Sequence, residues 1–424
     1  MGSVKDSIMD DSPAGRLYIP VTTTDFGELA WRVKGTFSVG DLKEQIPDST
    51  IPNKAEALTM TVATFFEYLA NRHPDIPTCY LGLVGNDGKL ATARDLFDKG
   101  ETTNIFVTRL AHVPESYSDG DLTVYRQALA SGELQCGVAD VESIFRKGYP
   151  LGSSTFQKIF GAVGMEREYL MLATYDETVK GLDEVRRRVK EKGIAAYPEL
   201  KKILADYGLG TMIPNPGFVL RAPVFDSTSK FETAGDRFIS KDEERRFSGL
   251  NDEGYERWTQ DIFPRSAQAQ IDFTSERGIL NIDGKEECVA YRRMPVLTDF
   301  ACSIDENRLM LTYNYNGVDW AIPSNKEIQR GIFRKAGIYA AITEAKDRAK
   351  GDGDVNKWRG YISRILSERG IDIREVAEYS CKLMGYAVAE VANRTLGRNV
   401  FDAAPLDRWA PEFLPYASRV EMQA

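Results

Sequence analysis

The 424-residue chain is 42% hydrophobic and 28% charged, ordinary globular proportions that exclude disorder as its main state and leave room for one large core or several smaller ones. A formal net charge of -9 argues against a nucleic-acid coat or a polybasic membrane patch, although a few local cations suffice for a nucleotide's phosphates. Five scattered cysteines with no C-x-x-C argue against a disulfide framework and a thiolate zinc site, and point to a reducing compartment. The start lacks an apolar leader segment, and no stretch reaches the roughly 18 apolar residues of a membrane span, so the cytoplasm is the expected location. His73 and His112 are the only histidines, which leaves carboxylates, lysines, arginines and a cofactor to carry any chemistry.

In chain order, Arg16–Thr23 reads as an apolar strand. Lys54–Ala70 is a helix with Leu58, Val62, Phe65, Phe66 and Leu69 on one side, and Thr78–Val84 and Asn104–Leu110 are further strands. Residues 1–110 therefore form a β-rich first lobe. Residues 111–140, rich in Ser, Asp and Gly, read as an insertion. A second lobe spans 141–350, with a charged helical insertion over 157–215 that contains Tyr175–Lys192 and Pro198–Tyr207. Strand character returns at Phe218–Phe225. A helix interrupted by Pro264 covers Glu253–Glu276, strands follow at Gly278–Asp283 and Arg292–Phe300, and Asn325–Lys350 is amphipathic. Residues 351–424 form a helical extension behind a Gly351–Asp354 hinge. Mixed elements in mixed order predict an α+β fold in two lobes.

Four segments carry candidate chemistry. Gly2, Ser3, Val4 and Lys5 form a small loop whose backbone could approach phosphate, with a frayed terminus as the plainer reading. Ile51-Pro-Asn-Lys54 leads into a helix. Arg146 to Ser154 is a glycine- and hydroxyl-rich loop beside two cations. In Arg277 to Glu287, a continuing strand would place Asp283, Lys285 and Glu287 on one face about 6.5–7 Å apart, a row able to hold magnesium and neutralise a triphosphate. Asp283-Gly284 between apolar runs is equally a hairpin signal, and pattern alone favours the hairpin.

Taken in order, these segments resemble the SAICAR synthetase (phosphoribosylaminoimidazole-succinocarboxamide synthase) family. The Gly2–Asp6 opening is similar to its glycine–lysine phosphate loop, and Thr24-Asp25 with Phe37–Asp41 to its T-D-R…S-x-F-D region. Ile51-Pro-x-Lys54 with Leu58-Thr59 is similar to I-P-x-K-G-x-x-L-T, and Glu142–Arg146 with Gly148-Tyr149 and Gly152-Ser153 to E-x-V-V-R-G-Y-x-x-G-S. Phe225–Glu232 resembles F-T-P-S-T-K-x-E, and Arg277-Gly-Ile with Asp283-x-Lys285-x-Glu287 resembles R-G-I…D-T-K-F-E. Asp299, Asp305 and Arg308 fall where D-E-V-L-T-P-D-S-S-R would lie, and Asn325-Lys326 where the family has S-K-Q.

The resemblance implies a kinase-like two-lobe α+β fold with ATP and Mg2+ in the cleft between lobes, plus the helical insertion and extension. It implies an ATP-dependent carbon–nitrogen ligase that converts the carboxylate of a carboxyaminoimidazole-like nucleotide to an acyl phosphate and couples it to an amine such as aspartate. It assigns Gly2, Ser3, Val4, Lys5, Lys54 and Lys230 to the nucleotide and Glu287 and Asp299 to the metal. Asp283, Lys285 and Arg308 take catalytic roles, and Asp41, Arg146, Gly152, Ser153, Asp305 and Arg308 contact substrate. Its partners are small molecules, not nucleic acid or membrane, and a homo-oligomer is compatible. Departures cluster on the substrate side: Gly284, Glu286, Phe300, the Ile304–Asn307 run, the extra Lys147, and the absence of the Trp expected after Gly152-Ser153, with Thr155-Phe156 nearby. They point to a changed substrate, in purine synthesis or in assembly of a purine-derived nucleoside natural product. A phosphotransferase of the related inositol- and lipid-kinase fold, and an inactive paralogue, are the competing readings.

Overall fold

The computed structural model describes residues 5–7, 27–33, 50–233, 235–353 and 357–423. Strands β1 (Lys5–Ser7), β2 (Gly27–Val33), β3 (Tyr80–Val84), β4 (Leu90–Ala91) and β5 (Ile105–Leu110) make one antiparallel sheet, ordered β1-β2-β5-β3-β4. The helix Lys54–Arg72 covers it with its apolar stripe. Phe66 stacks on Tyr80 at 5.3 Å, while Phe65 meets Phe273 of the helix Phe263–Ser275 at 5.5 Å. One helix thus buries aromatic surface against two bodies, each ring pair worth about 0.5–1.5 kcal/mol beyond its area.

The remaining strands are β6 (Cys136–Tyr149), β7 (Phe218–Thr228), β8 (Ile279–Asn281), β9 (Asp283–Tyr291), β10 (Met294–Thr298), β11 (Leu309–Tyr315), β12 (Val318–Pro323), β13 (Ser418–Arg419) and β14 (Glu421–Met422). They form a second sheet, β10-β9-β6-β7-β14, and a third, β13-β12-β11-β8. The hairpin that closes β9 onto β10 turns at Arg292 (φ 50°) and Arg293 (φ 64°), the two consecutive left-handed residues a type I′ turn requires. Asp283-Gly284, the stronger turn signal, instead opens β9 and pairs with β6. Pairing on that flank satisfies the backbone groups that a hairpin tip would have left in water.

Residues 111–140 carry the helices Pro114–Tyr117 and Leu122–Ser131. The buried Tyr125 ties the second of these to β6, its single O–H lying within donating distance of His112 O (2.7 Å) and Val138 O (2.8 Å). Between β6 and β7 the helices Ser154–Gly161, Tyr175–Lys192 and Pro198–Asp206 enclose their own core, with Phe156, Phe160, Leu182 and Leu200 packed against Tyr149 and Phe218. The expected interruption near Pro264 takes the form of a π-helical stretch, Trp258–Ile262, between the helices Asp252–Arg257 and Phe263–Ser275, the second of which carries Pro264 in its first turn.

The extension is helical over Trp358–Glu368 and Ile373–Leu396 but ends on strands. β13 pairs with β12 and β14 runs parallel to β7, so the last residues join two sheets. A Cβ on Gly217 would lie 1.8 Å from Arg419 O, and Ser418 Oγ accepts the Leu151 N–H at 2.9 Å. The tail therefore braces the loop that carries Gly152 and Ser153. Among the described residues no helix is long and apolar enough to cross a membrane.

Candidate active site

β6 and β9 pair with Glu142 opposite Glu287, Ile144 opposite Lys285 and Arg146 opposite Asp283. Because side chains alternate across a sheet, Glu142, Arg146, Asp283, Lys285 and Glu287 share one face, and Ser143, Phe145, Gly284 and Glu286 share the other. The first face has two chemically distinct ends.

At the first end, Lys285 Nζ lies 2.5 Å from Glu142 and 3.0 Å from Glu306, while Lys230 Nζ pairs with Glu287 and stands 3.8 Å from Glu142. Asp299 follows β10 with a left-handed backbone (φ 64°) and acts electrostatically on Glu287, Lys230 and Lys285. Burial and the charge of Asp299 push the Glu287 carboxyl up to about 8. Burial works against both ammonium groups, but the surrounding carboxylates outweigh it and hold Lys230 and Lys285 charged. With all four ionised, Glu142, Glu287, Glu306 and Asp299 would exceed Lys230 and Lys285 by two negative charges, and the raised Glu287 carboxyl is the response to that excess and to burial. Lys230 is placed by Asp140, which is fully buried, is ion-paired to Arg126 Nε at 2.7 Å, and accepts the backbone N–H groups of Lys230 (3.0 Å) and Phe231 (2.7 Å).

Cations dominate the second end. Arg308 bridges Asp283 (2.5 Å) and Glu327 (3.2 Å), and Glu327 also pairs with Arg330. Burial opposes the charge on Glu327, yet Arg330, Arg308 and Arg334 together hold its carboxyl down to about 2. Gly152 (φ 84°) lies directly over this knot, and a Cβ there would sit 2.2 Å from Glu327 Oε2. Ser153 is buried and caps the helix Ser154–Gly161, its Oγ accepting from Thr155 N. Lys326 is half-buried, and burial followed by Arg330 lowers its pKa.

Of the residues picked from sequence, Asp283, Lys285, Glu287, Asp299, Lys230, Arg146, Gly152, Ser153 and Arg308 converge on these two ends. Lys54 does not open onto them: it is buried, and its ammonium faces Asp305 at 2.9 Å, pinning a helix start to the loop before Arg308. Lys5 is described only as backbone, in β1 paired with Val33. Gly2, Ser3, Val4 and Asp41 lie outside the described residues. Phe300 is a core residue, its ring 4.9 Å from Phe106. Sequence reasoning assigned no role to Glu142, Glu327 and Arg330, and saw Glu306 only within the Ile304–Asn307 departure beside Arg308. The Glu142–Arg146 spacing carried a signal, since residues four apart on a strand share a face. Glu327 and Arg330, one turn apart on the helix Glu327–Lys335, reach the site only through the packing of Arg308 against that helix.

On the reverse face, three departures from the family pattern form one buried unit. Glu286 accepts from Ser266 Oγ (2.6 Å) and from Gln270 Nε2, and Asn307 Nδ2 donates to Gln270 Oε1 (2.6 Å). A Cβ on Gly284 would come within 2.2 Å of Asn307 Nδ2, so glycine at 284 and asparagine at 307 belong together. Burial pushes the Glu286 carboxyl from 4.5 up to about 8. The folded state therefore keeps a proton that the unfolded chain releases near 4.5, and stability falls as pH rises through that window. Glu286→Gln, which cannot ionise, is expected to remove about 2–3 kcal/mol of that decline between pH 5 and pH 8. Denaturant titrations at the two pH values check this, and equal declines in both proteins would reject it.

No family model matches the chain. A protein of Archaeoglobus fulgidus, provisionally named as a phosphoribosylaminoimidazole-succinocarboxamide synthase, is 26% identical over 401 residues, covering 90% of this chain and 98% of its own. Among solved structures, the Saccharomyces cerevisiae SAICAR synthase complexed with SAICAR aligns at 13% identity and TM-score 0.45, over 94% of this chain and 93% of that one. A type-2 SAICAR synthetase in complex with ADP aligns at 14% identity and TM-score 0.41, over 74% and 86%. The sequence relationship runs through nearly the whole of both chains, and by it this protein is similar to a phosphoribosylaminoimidazole-succinocarboxamide synthase, a SAICAR synthetase, at a divergent level of identity.

Proposed function

We propose that the protein is an ATP-dependent carbon–nitrogen ligase that activates a carboxylate as an acyl phosphate and couples it to an amine. The observation that carries this reading is the two-ended β6–β9 face. Carboxylates and lysines gather around Glu142 and Glu287, and four residues along the strands, about 13 Å away, lie Arg146 and Asp283, where Arg308 joins through its ion pair with Asp283. The acidic end suits a nucleotide's metal and the cationic end suits an anionic acceptor. A hydroxyl acceptor would leave the cationic end without a partner, which disfavours a simple phosphotransferase.

Among the described residues no three His, Cys, Asp or Glu side chains converge into a metal cage. That agrees with magnesium, which takes one or two carboxylates and completes its shell with phosphate oxygens and water. A divalent cation fits the excess of carboxylates beside Glu287 and Asp299: those two would hold it, and Glu287 would give up its proton on binding. When bound, it would neutralise charge on the phosphates during transfer. Lys285 and Lys230 stabilise negative charge that builds on the transferring phosphoryl oxygens, and they need no reorganisation because carboxylates already hold them in place. Arg308 and Arg146 orient the acid. The amine nitrogen then attacks the acyl carbon, phosphate departs with the bonding pair, and the nitrogen gives up a proton.

The acid is a carboxyaminoimidazole-type nucleotide and the amine is aspartate or a relative of it, in a purine or purine-derived nucleoside pathway of the cytoplasm. Support comes from the A. fulgidus relative's name and from the cations gathered at the substrate end. The test is ADP release in the presence of magnesium. Release is expected only with acid and amine together, and is expected to vanish in Glu287→Gln. Release with a hydroxyl acceptor alone would establish the phosphotransferase, and no release with any pair would establish an inactive paralogue.

A further inference from the structure

Arg146 is buried, yet its polar contacts are long: 3.4 Å to Ser154 Oγ, 3.5 Å to Asp283 and 4.0 Å to Asp226. Its Nε has no hydrogen-bond partner among the described residues. A buried guanidinium without close partners is costly, so the fold holds this group ready for an anion that it does not itself supply. A second cation stands beside it. Lys158, from the first inserted helix, places its Nζ 3.9 Å from Asp226, 3.1 Å from the centre of the Phe238 ring, and against Tyr207 Oη. Tyr207 comes from the end of the same insertion and donates to Asp226 Oδ2 at 2.9 Å.

Asp226 is thus engaged by a phenol and approached by two cations, neither of which reaches hydrogen-bonding distance. One carboxylate between Arg146 and Lys158 leaves one positive charge over. Burial, with Arg146 adding to it, lowers the Lys158 pKa to about 8 even though Asp226 works in the opposite direction. An incoming oxyanion would relieve both cations at once.

We propose that Lys158 is a substrate-binding residue carried into the site by the inserted helices, and that with Arg146 and Ser154 it receives an oxyanion of the substrate, a phosphate or a carboxylate. This rests on the reading of Arg146 as a substrate contact, and it makes the insertion a determinant of specificity. Position 226 carries Thr in the family pattern, whereas here Asp226 meets Tyr207 and Lys158, so insertion and site are matched to each other.

The test uses the full chain and requires no turnover. Lys158 is labelled with an amine-reactive reagent at pH 8 and its modification is followed by peptide mass spectrometry, with inorganic phosphate in one arm and L-aspartate in the other. At ten times its dissociation constant, a ligand that seats on Lys158 is expected to slow labelling about tenfold. Protection by phosphate assigns the position to a phosphate-bearing substrate, and protection by aspartate alone assigns it to the amine's carboxylate. Protection by neither overturns the proposal. Lys158→Met, which keeps the aliphatic stem, is expected to weaken the protecting anion's affinity about 10- to 100-fold, with Lys158→Arg restoring most of it. Unchanged affinity in Lys158→Met would overturn the proposal as well. Because anion binding is read without the reaction, this result and the ligase assay can fail independently.

Discussion

Lys285→Met is expected to lower turnover by about 10²–10³-fold, the scale on which a preorganised electrostatic group acts. Lys285 holds Glu142 at 2.5 Å and Glu306 at 3.0 Å, and without it Lys230 is left to balance Glu142, Glu287 and Asp299, with Lys326 near Glu306. The same substitution costs stability, about 2–3 kcal/mol at pH 8, because it strands carboxylates that are mostly out of water. The sign of the pH dependence follows. Lys285 counters the burial that raises the Glu287 carboxyl, so its loss raises that group further, the folded protein takes up a proton on acidification, and the deficit shrinks toward pH 5. Steady-state rates together with denaturant unfolding at both pH values measure the two effects. Turnover retained in Lys285→Met would remove this lysine from the reaction.

Arg308→Ala is expected to produce the largest loss of stability, about 3–4 kcal/mol, since breaking a largely buried ion pair leaves its partners uncompensated. Asp283 would keep only Arg146 at 3.5 Å, and Glu327 would lean on Arg330. Arg308→Lys should recover little, because one ammonium cannot reproduce a guanidinium that spans 2.5 Å to Asp283 and 3.2 Å to Glu327. A rise in KM for the acid, with the KM for ATP unchanged, would separate the substrate role from the structural one. A Tm equal to that of the parent would show that the bridge carries no stability.

What the sequence by itself determined is whatever depends on local period and composition. The stripe Leu58, Val62, Phe65, Phe66 and Leu69 needs only 3.6-residue spacing to declare a helix, and Lys54–Arg72 is that helix. Spacing of two makes Asp283, Lys285 and Glu287 a row as soon as the segment is a strand. The scarcity of histidine directed attention to lysines and carboxylates, and these are the groups that converge. The order of the partial motifs pointed to the family that the full-length relationship supports.

Only the tertiary structure decided whether that row existed at all. Asp283-Gly284 satisfies turn chemistry and strand pairing equally well in isolation. The choice fell to β6, some 140 residues earlier in the chain, whose free edge captures 283–291, while two arginines without any turn signature took the hairpin. The same pairing brought Glu142 to Glu287. Packing against the helix Phe263–Ser275 turned Gly284, Glu286 and Asn307, three apparent losses in a catalytic motif, into one buried hydrogen-bonded unit. Lys158 in the insertion and Ser418 in the tail reach the site region across 68 and 267 residues, to Asp226 and Leu151. The physical reason is common to all of these. Local period dictates which way a side chain faces, but what it faces is set by contacts whose loop-closure cost and burial gain are settled over the whole chain.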